Sequence, residues 1–319
     1  MIAGMTYYEI LWYFLIYSFS GWCIEVIFHA ITVGKVINRG FLCGPVCPVY
    51  GFGVLAVFGV IYSVIPNVFH YPAEKLTGGS DLGGILIVFV SGVILATAVE
   101  LIAGWLLDVA FHARWWDYSN EPFNLNGYIC LRFSLMWGLM CLLIVRVAQA
   151  VVANSPMLKI PERIGWPLLI GLYLVYFADF VVTVMIVAGL NKRLEELDEI
   201  RRRMSIVSDG LSEKLGTGTM RAQTSLEEQR VQATLAKYEA RDALEKQKRK
   251  IEDRVDLGRS KAEELRERAD RLKEKIMSGS FFGSRRILEA FPDMRHRKYR
   301  DMLEALQKEL RMRAGGRHK

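Results

Sequence analysis

Residues 83–111 read GGILIVFVSGVILATAVELIAGWLLDVAF, and Glu100 and Asp108 are the only charged side chains among them. A hydrocarbon core of ~30 Å needs about 20 mostly apolar residues in a helix. Inside lipid a helix satisfies its own backbone hydrogen bonds, so this run is predicted to be a membrane span. Four further runs qualify: 8–33, 47–66, 128–152 and 166–190. The first lacks a basic leader and a small-x-small cleavage site and is too long for a signal peptide, so it is expected to be a retained span.

Charge separates the chain in two. Residues 1–190 carry 8 Lys and Arg against 10 Asp and Glu; residues 191–319 carry 33 against 24. The first part is too poor in charge for a soluble domain of its size, and the second too poor in large apolar residues for a thick core. A single soluble globular enzyme is excluded. The expected fold is all-α: a polytopic bundle of five spans over 1–190, with a charged, helical, coiled-coil-like tail over 191–319. Lys192, Arg193 and Arg201–Arg203 follow the fifth span at once, which predicts a cytoplasmic C-terminus. Five spans then put the N-terminus outside and the 1–2 and 3–4 loops inside.

Gly21–Ala30, GWCIEVIFHA, repeats as Gly104–Ala113, GWLLDVAFHA. The offset is 83, and carried on to Cys47 and Cys130 it gives nine identities in 27 positions. Spans 1–2 and 3–4 therefore read as duplicated hairpins in a parallel repeat, with span 5 an addition that carries the tail.

Residues i and i+4 share a helix face. Ser18, Gly21, Glu25 and His29 form one stripe; Glu100, Gly104, Asp108 and His112 form another. Each ionisable group at a span centre costs about 2.5–3.5 kcal/mol on insertion scales, so these groups are expected to face inward and find partners. The repeat is expected to bring Glu25/His29 and Asp108/His112 together. Arg39, Arg114 and Arg132 are candidate counter-charges, with Asp117 beside them in the 3–4 loop and Asp179 and Arg146 as a further pair. Three readings stay open: structural pairing that sets helix register, a proton or substrate path, and a metal site of two carboxylates and two histidines. Cys43 and Cys47, spaced C-x3-C, read as small apolar fillers or as a weak metal signal.

The loops NRGFLCGPVCPVYG (38–51) and RWWDYSNEPFNLNGY (114–128) are rich in helix breakers and aromatics, which suits re-entrant or interfacial segments. In the tail, Asp209-Gly210 and Gly216-Thr217-Gly218 predict a break, 221–277 a long charged helix, and Gly279–Gly283 a second break. Residues 285–313 predict a basic amphipathic segment that touches lipid headgroups or packs back on the tail. Interleaved charges of both signs argue against nucleic acid as a partner. No phosphate loop, nucleophile elbow or H-E-x-x-H occurs, so no catalytic residue, cofactor or metal is assigned.

GWCIE, NRGFLCGPVCPVYGFG, ARWWDYS with FNLNGYICL, and RRILEAFP in the tail resemble the ABC-transporter type IV family, also called CmpB-like, of bacterial membrane proteins. The resemblance covers about residues 5–190 and one motif of the tail. It implies a permease role in the plasma membrane; without a phosphate loop, an ATP-driven role implies a separate ATPase subunit. Further partners to expect are the lipid bilayer, other membrane proteins and a second copy through the tail. The alternatives are a membrane-anchored scaffold or signalling protein acting through the tail, and a lipid-modifying membrane enzyme.

Overall fold

A computed structural model describes residues 5–78, 80–228, 236–279 and 283–315. Among these residues five helices are long and apolar enough to cross a membrane: Tyr7–Val33, Pro48–Val68, Leu82–Phe111, Leu131–Ala153 and Glu162–Ser208. The protein is an all-α polytopic helix bundle.

The span ends have local causes. Thr6 opens span 1 in a capping box: its hydroxyl accepts from the Glu9 amide at 3.2 Å, and Glu9 accepts from the Thr6 amide at 2.8 Å. Asp81 caps span 3 by accepting from the Gly84 amide at 2.8 Å. Span 3 ends at His112, whose φ of 53° is left-handed. This sharp turn, uncommon outside glycine, swings Ala113–Arg114 out as a two-residue strand, β1.

Spans 2 and 4 share an irregularity. Each contains one π-helical turn, at Val60–Val64 and Ile144–Ala148. The turns lie 84 positions apart, one more than the sequence repeat. Such turns insert a residue into the helix and often accompany functional sites.

The chain divides by its contacts into two compact units, Met1–Leu190 with Phe282–Lys319, and Asn191–Phe281. In the first unit Tyr13, Tyr17, Phe58, Ile61, Val88, Cys141 and Val145 form a buried core among spans 1–4. Tyr8, Trp12 and Leu169 form a second core between spans 1 and 5. Residues after 283 make helix Ser284–Ala290, strand β4 (Arg295–His296) and helix Arg300–Gly315. Strand β4 pairs antiparallel with β1, Ala113 opposite His296 and Arg114 opposite Arg295. A second small ladder joins β2 (Asn124–Leu125) to β3 (Ile129–Cys130). The basic segment over 285–313 is therefore not one amphipathic helix: Pro292 interrupts it, and its apolar side chains Ile287, Leu288, Met294, Leu303 and Leu306 are buried.

The helix of span 5 runs on without a break from Glu162 to Glu228, and its part from Asn191 on belongs to the second unit. The break expected at 209–218 does not occur. A helix-interior glycine costs roughly 1 kcal/mol, too little to stop a helix flanked by strong helix formers. Helix Ala236–Met277 follows, and Arg268 pairs with Glu196 at 2.7 Å, which returns residue 268 to the side of residue 196. Leu194, Leu197 and Ile200 are buried there. The expected helix over 221–277 includes 229–235, and the second expected break includes 280–282; both stretches lie outside the described residues.

Candidate functional site

Two duplicated glycines carry aromatic rings. A side chain at Gly21 would overlap the Tyr50 ring, and one at Gly104 would press on Trp116 and Tyr128 at 3.0–3.2 Å. Each tyrosine then reaches the carboxylate one turn further along. The Tyr50 hydroxyl donates to Glu25 at 2.7 Å, and the Tyr128 hydroxyl donates to Asp108. Each carboxylate also has an arginine from the following loop, Arg39 at 3.7 Å from Glu25 and Arg114 at 3.3 Å from Asp108. The repeat thus has a matching unit in space: glycine, carboxylate, tyrosine and arginine.

The first set includes His29. Arg39 donates to His29 Nδ1 at 3.0 Å; because arginine never accepts, this nitrogen is the acceptor. The Arg39 loop is built around Asn38, which donates to the Cys43 carbonyl at 2.7 Å and accepts from Trp22 and from the Gly40 amide. The Cys43 and Gly44 amides donate at 3.0 and 2.8 Å to Asp179 of span 5. Asp179 therefore holds the loop by its backbone and is not the partner of Arg146, which donates to the Lys75 carbonyl.

The second set is more enclosed. The Asp108 side chain is 0% exposed. Tyr128, Arg114 and Arg297 all converge on Oδ2, Arg297 at 2.6 Å, while Oδ1 has no partner among the described residues. Arg114 also lies over the Tyr128 ring, 4.6 Å from its centre. Nearby, Asp117 takes Arg295 at 2.6 Å and the Ser119 hydroxyl and amide. Burial alone would raise the Asp117 pKa; Ser119, then Arg295 and Arg114, outweigh it and hold the carboxyl below its ordinary value.

Glu100 is different in kind. It is buried and accepts from the Tyr118 hydroxyl at 3.1 Å and from the Trp137 indole at 3.0 Å. No Lys, Arg or His pairs with it among the described residues. Burial first, then the charge of Glu100, pushes the Tyr118 phenol far upward, so it stays a donor. The Tyr50 ring meets Trp137 edge-on at 5.4 Å, joining the Glu25 and Glu100 neighbourhoods. A cavity of about 40 Å³ lies here, lined by Tyr50, Gly53, Ala96, Glu100, Trp137 and Cys141 among others. That is room for about three waters.

The expected meeting of Glu25/His29 with Asp108/His112 is replaced by two separate groupings. Glu25 neighbours Glu100 through Tyr50 and Trp137, and Asp108 closes on arginines. His112 leaves the stripe because its left-handed turn makes it exposed and ends the helix. Arg132 faces Glu121 at 3.5 Å and is 67% exposed, away from both stripes. All five cysteines are free. Among the described residues no three His, Cys, Asp or Glu side chains gather closely enough to hold a metal ion.

The family model described as "Putative ABC-transporter type IV" matches residues 12–184, more than half of the chain. The chain belongs to this family. No curated protein matches it, and no solved structure does. The matched region contains Glu25, Glu100, Asp108 and every loop residue above, but ends before Arg286, Arg295 and Arg297. Those three arginines, with the donors Tyr50, Tyr118, Tyr128 and Trp137, were not among the candidates the sequence singled out. The only signal for the arginines was RRILEAFP and the basic run after it.

Proposed function

We propose that this protein is a permease-like or transport-accessory subunit of the bacterial plasma membrane. It lacks an ATPase of its own and works with a separate one, its C-terminus on the cytoplasmic side. The observation that carries the reading is Glu100: a carboxylate within a span, beside a small cavity, held among the described residues by neutral donors alone. Such a group takes up and releases a proton without breaking an ion pair, whereas Asp108, clamped by two arginines, does not. In this reading Glu25 and Glu100 are the working carboxylates and Asp108 holds the frame.

Two measurements test this. Gentle detergent extraction from native membranes should bring down a nucleotide-binding subunit in stoichiometric amount. In a strain lacking the protein, Glu100→Gln should fail to restore function at a normal membrane level. Full restoration would remove the carboxylate from the mechanism.

The unit Asn191–Phe281 favours a second reading, a scaffold that recruits partners through two long charged helices of 67 and 42 residues; the first of these begins in the membrane domain. Replacing 205–278 by a flexible linker would then abolish function while leaving 282–319 in place. Retained activity would dispose of that reading.

A further inference from the structure

We propose that the loop face of the membrane unit is a receptor for the chain's own basic, aromatic segment 284–300, and that Arg297 is the counter-charge that completes the Asp108 grouping.

The segment grips both halves of the repeat. At one end Arg286 donates to the Gly40 and Phe41 carbonyls of the first loop at 3.0 and 3.1 Å. At the other end Arg295 and Arg297 reach Asp117 and Asp108 of the second half, each at 2.6 Å. Between them Phe291 packs edge-on against Trp115 at 4.8 Å, and Trp115 meets Phe41 of the first loop at 5.1 Å. The Arg297 amide donates to the His112 carbonyl at 2.9 Å, continuing the β1–β4 ladder. One short stretch therefore supplies three cations, one ring and one strand to a surface that offers two carboxylates, two carbonyls, two rings and a strand edge. That complementarity is sequence-specific, since the interfacial role of a basic helix needs only charge and an apolar face.

Two consequences follow from the chemistry. Asp108, fully enclosed, would keep Arg114 as its only cation if the segment left. A soluble subunit could engage this loop face only by displacing 284–300, so the segment governs access to it. The inference stands apart from the permease reading and holds whether or not the protein transports.

The test uses the full-length chain. In a background with the five native cysteines replaced, Ala113→Cys with His296→Cys is oxidised in detergent. The expected product is an intramolecular disulfide that leaves the band at monomer size on a non-reducing gel. A dimer band would show that the segment comes from a second copy, and no disulfide would show that it does not dock; either overturns the self-docking. In the otherwise native chain, trypsin cleavage after Arg286, followed by mass spectrometry, reads release of the segment. Arg297→Glu should speed this cleavage by at least about tenfold, since it removes the charge-assisted bond to Asp108 and sets a second carboxylate beside it. Lys308→Glu makes the same charge change on the exposed side of the following helix, outside the segment, and should leave the rate unchanged. Equal rates for the two variants would overturn the role given to Arg297.

Discussion

The two halves of the repeat begin with the same local specification and end with different carboxylates. Glu25 and Asp108 each follow a glycine by one turn, each accept from a tyrosine laid over that glycine, and each face a loop arginine. Yet the Glu25 side chain is 30% exposed and its arginine is distant, while Asp108 is fully enclosed and has a second arginine from residue 297. The repeat shares a frame. What distinguishes the halves is the C-terminal segment at Asp108, and Glu100 of span 3 with its cavity beside the Tyr50–Glu25 pair.

The largest break in the comparison should come from removing the carboxylates. Asp108→Ala leaves Arg114 and Arg297 facing each other without their shared carboxylate and should be the more destabilising change. Glu25→Ala, at a less enclosed carboxylate with a longer arginine contact, should cost less. Thermal melting in detergent compares them, and equal losses would mean that the halves are equivalent after all.

The glycines reverse the order. At Gly21 an added methyl meets the body of the Tyr50 ring, so Gly21→Ala should cost about 2–3 kcal/mol; at Gly104 the contacts are tight but not overlapping, and about 1 kcal/mol is expected. A Gly104→Ala variant less stable than Gly21→Ala would refute this ranking.

Acid should weaken the docking of the C-terminal segment. His296 is buried, accepts at Nδ1 from the Lys298 and Tyr299 amides and stacks on Tyr299. Burial first, then the neighbouring His112 and Lys298, lower its pKa to about 4, against an opposing pull from Asp108. The unfolded chain therefore binds this proton more readily than the folded one between an ordinary histidine value of ~6.5 and about 4. Docking of 284–300 should be at full strength above that window and weaken on acidification, by on the order of 2 kcal/mol at pH 5. Proteolysis after Arg286 across pH 7 to 5, each rate divided by that on an unstructured peptide of the same sequence, measures it; His296→Gln should flatten the response.

The smallest effect is expected at Arg132, whose exposed pairing with Glu121 puts Arg132→Gln within about 0.5 kcal/mol of wild type.

Much of the architecture was legible in the sequence because it is set by length and polarity alone. A run of apolar residues long enough to cross lipid has one way to satisfy its backbone, so the positions of the spans follow without tertiary information. The i, i+4 stripes were legible for the same reason: helix geometry places Gly21 beside Glu25 and Gly104 beside Asp108 wherever the helix goes. The left-handed turn at His112 was not legible, because nothing in GWLLDVAFHA separates it from GWCIEVIFHA, where the helix continues past His29 to Val33. The helix running through Gly210, Gly216 and Gly218 was not legible either, because a local penalty of about 1 kcal/mol per glycine competes with cooperative propagation, which the local sequence does not reveal.

The sequence by itself determined that the chain is a bundle of apolar helices with carboxylates inside two of them, since composition and period act over adjacent residues. Only the tertiary structure decided which partner each carboxylate received. Arg297 lies 189 residues from Asp108 along the chain and Trp137 lies 37 from Glu100; no local pattern encodes such pairings. They follow from how spans 1–4 pack and from the return of 284–300 to the loops, and it is those contacts that make one carboxylate a clamped structural group and leave another beside a cavity.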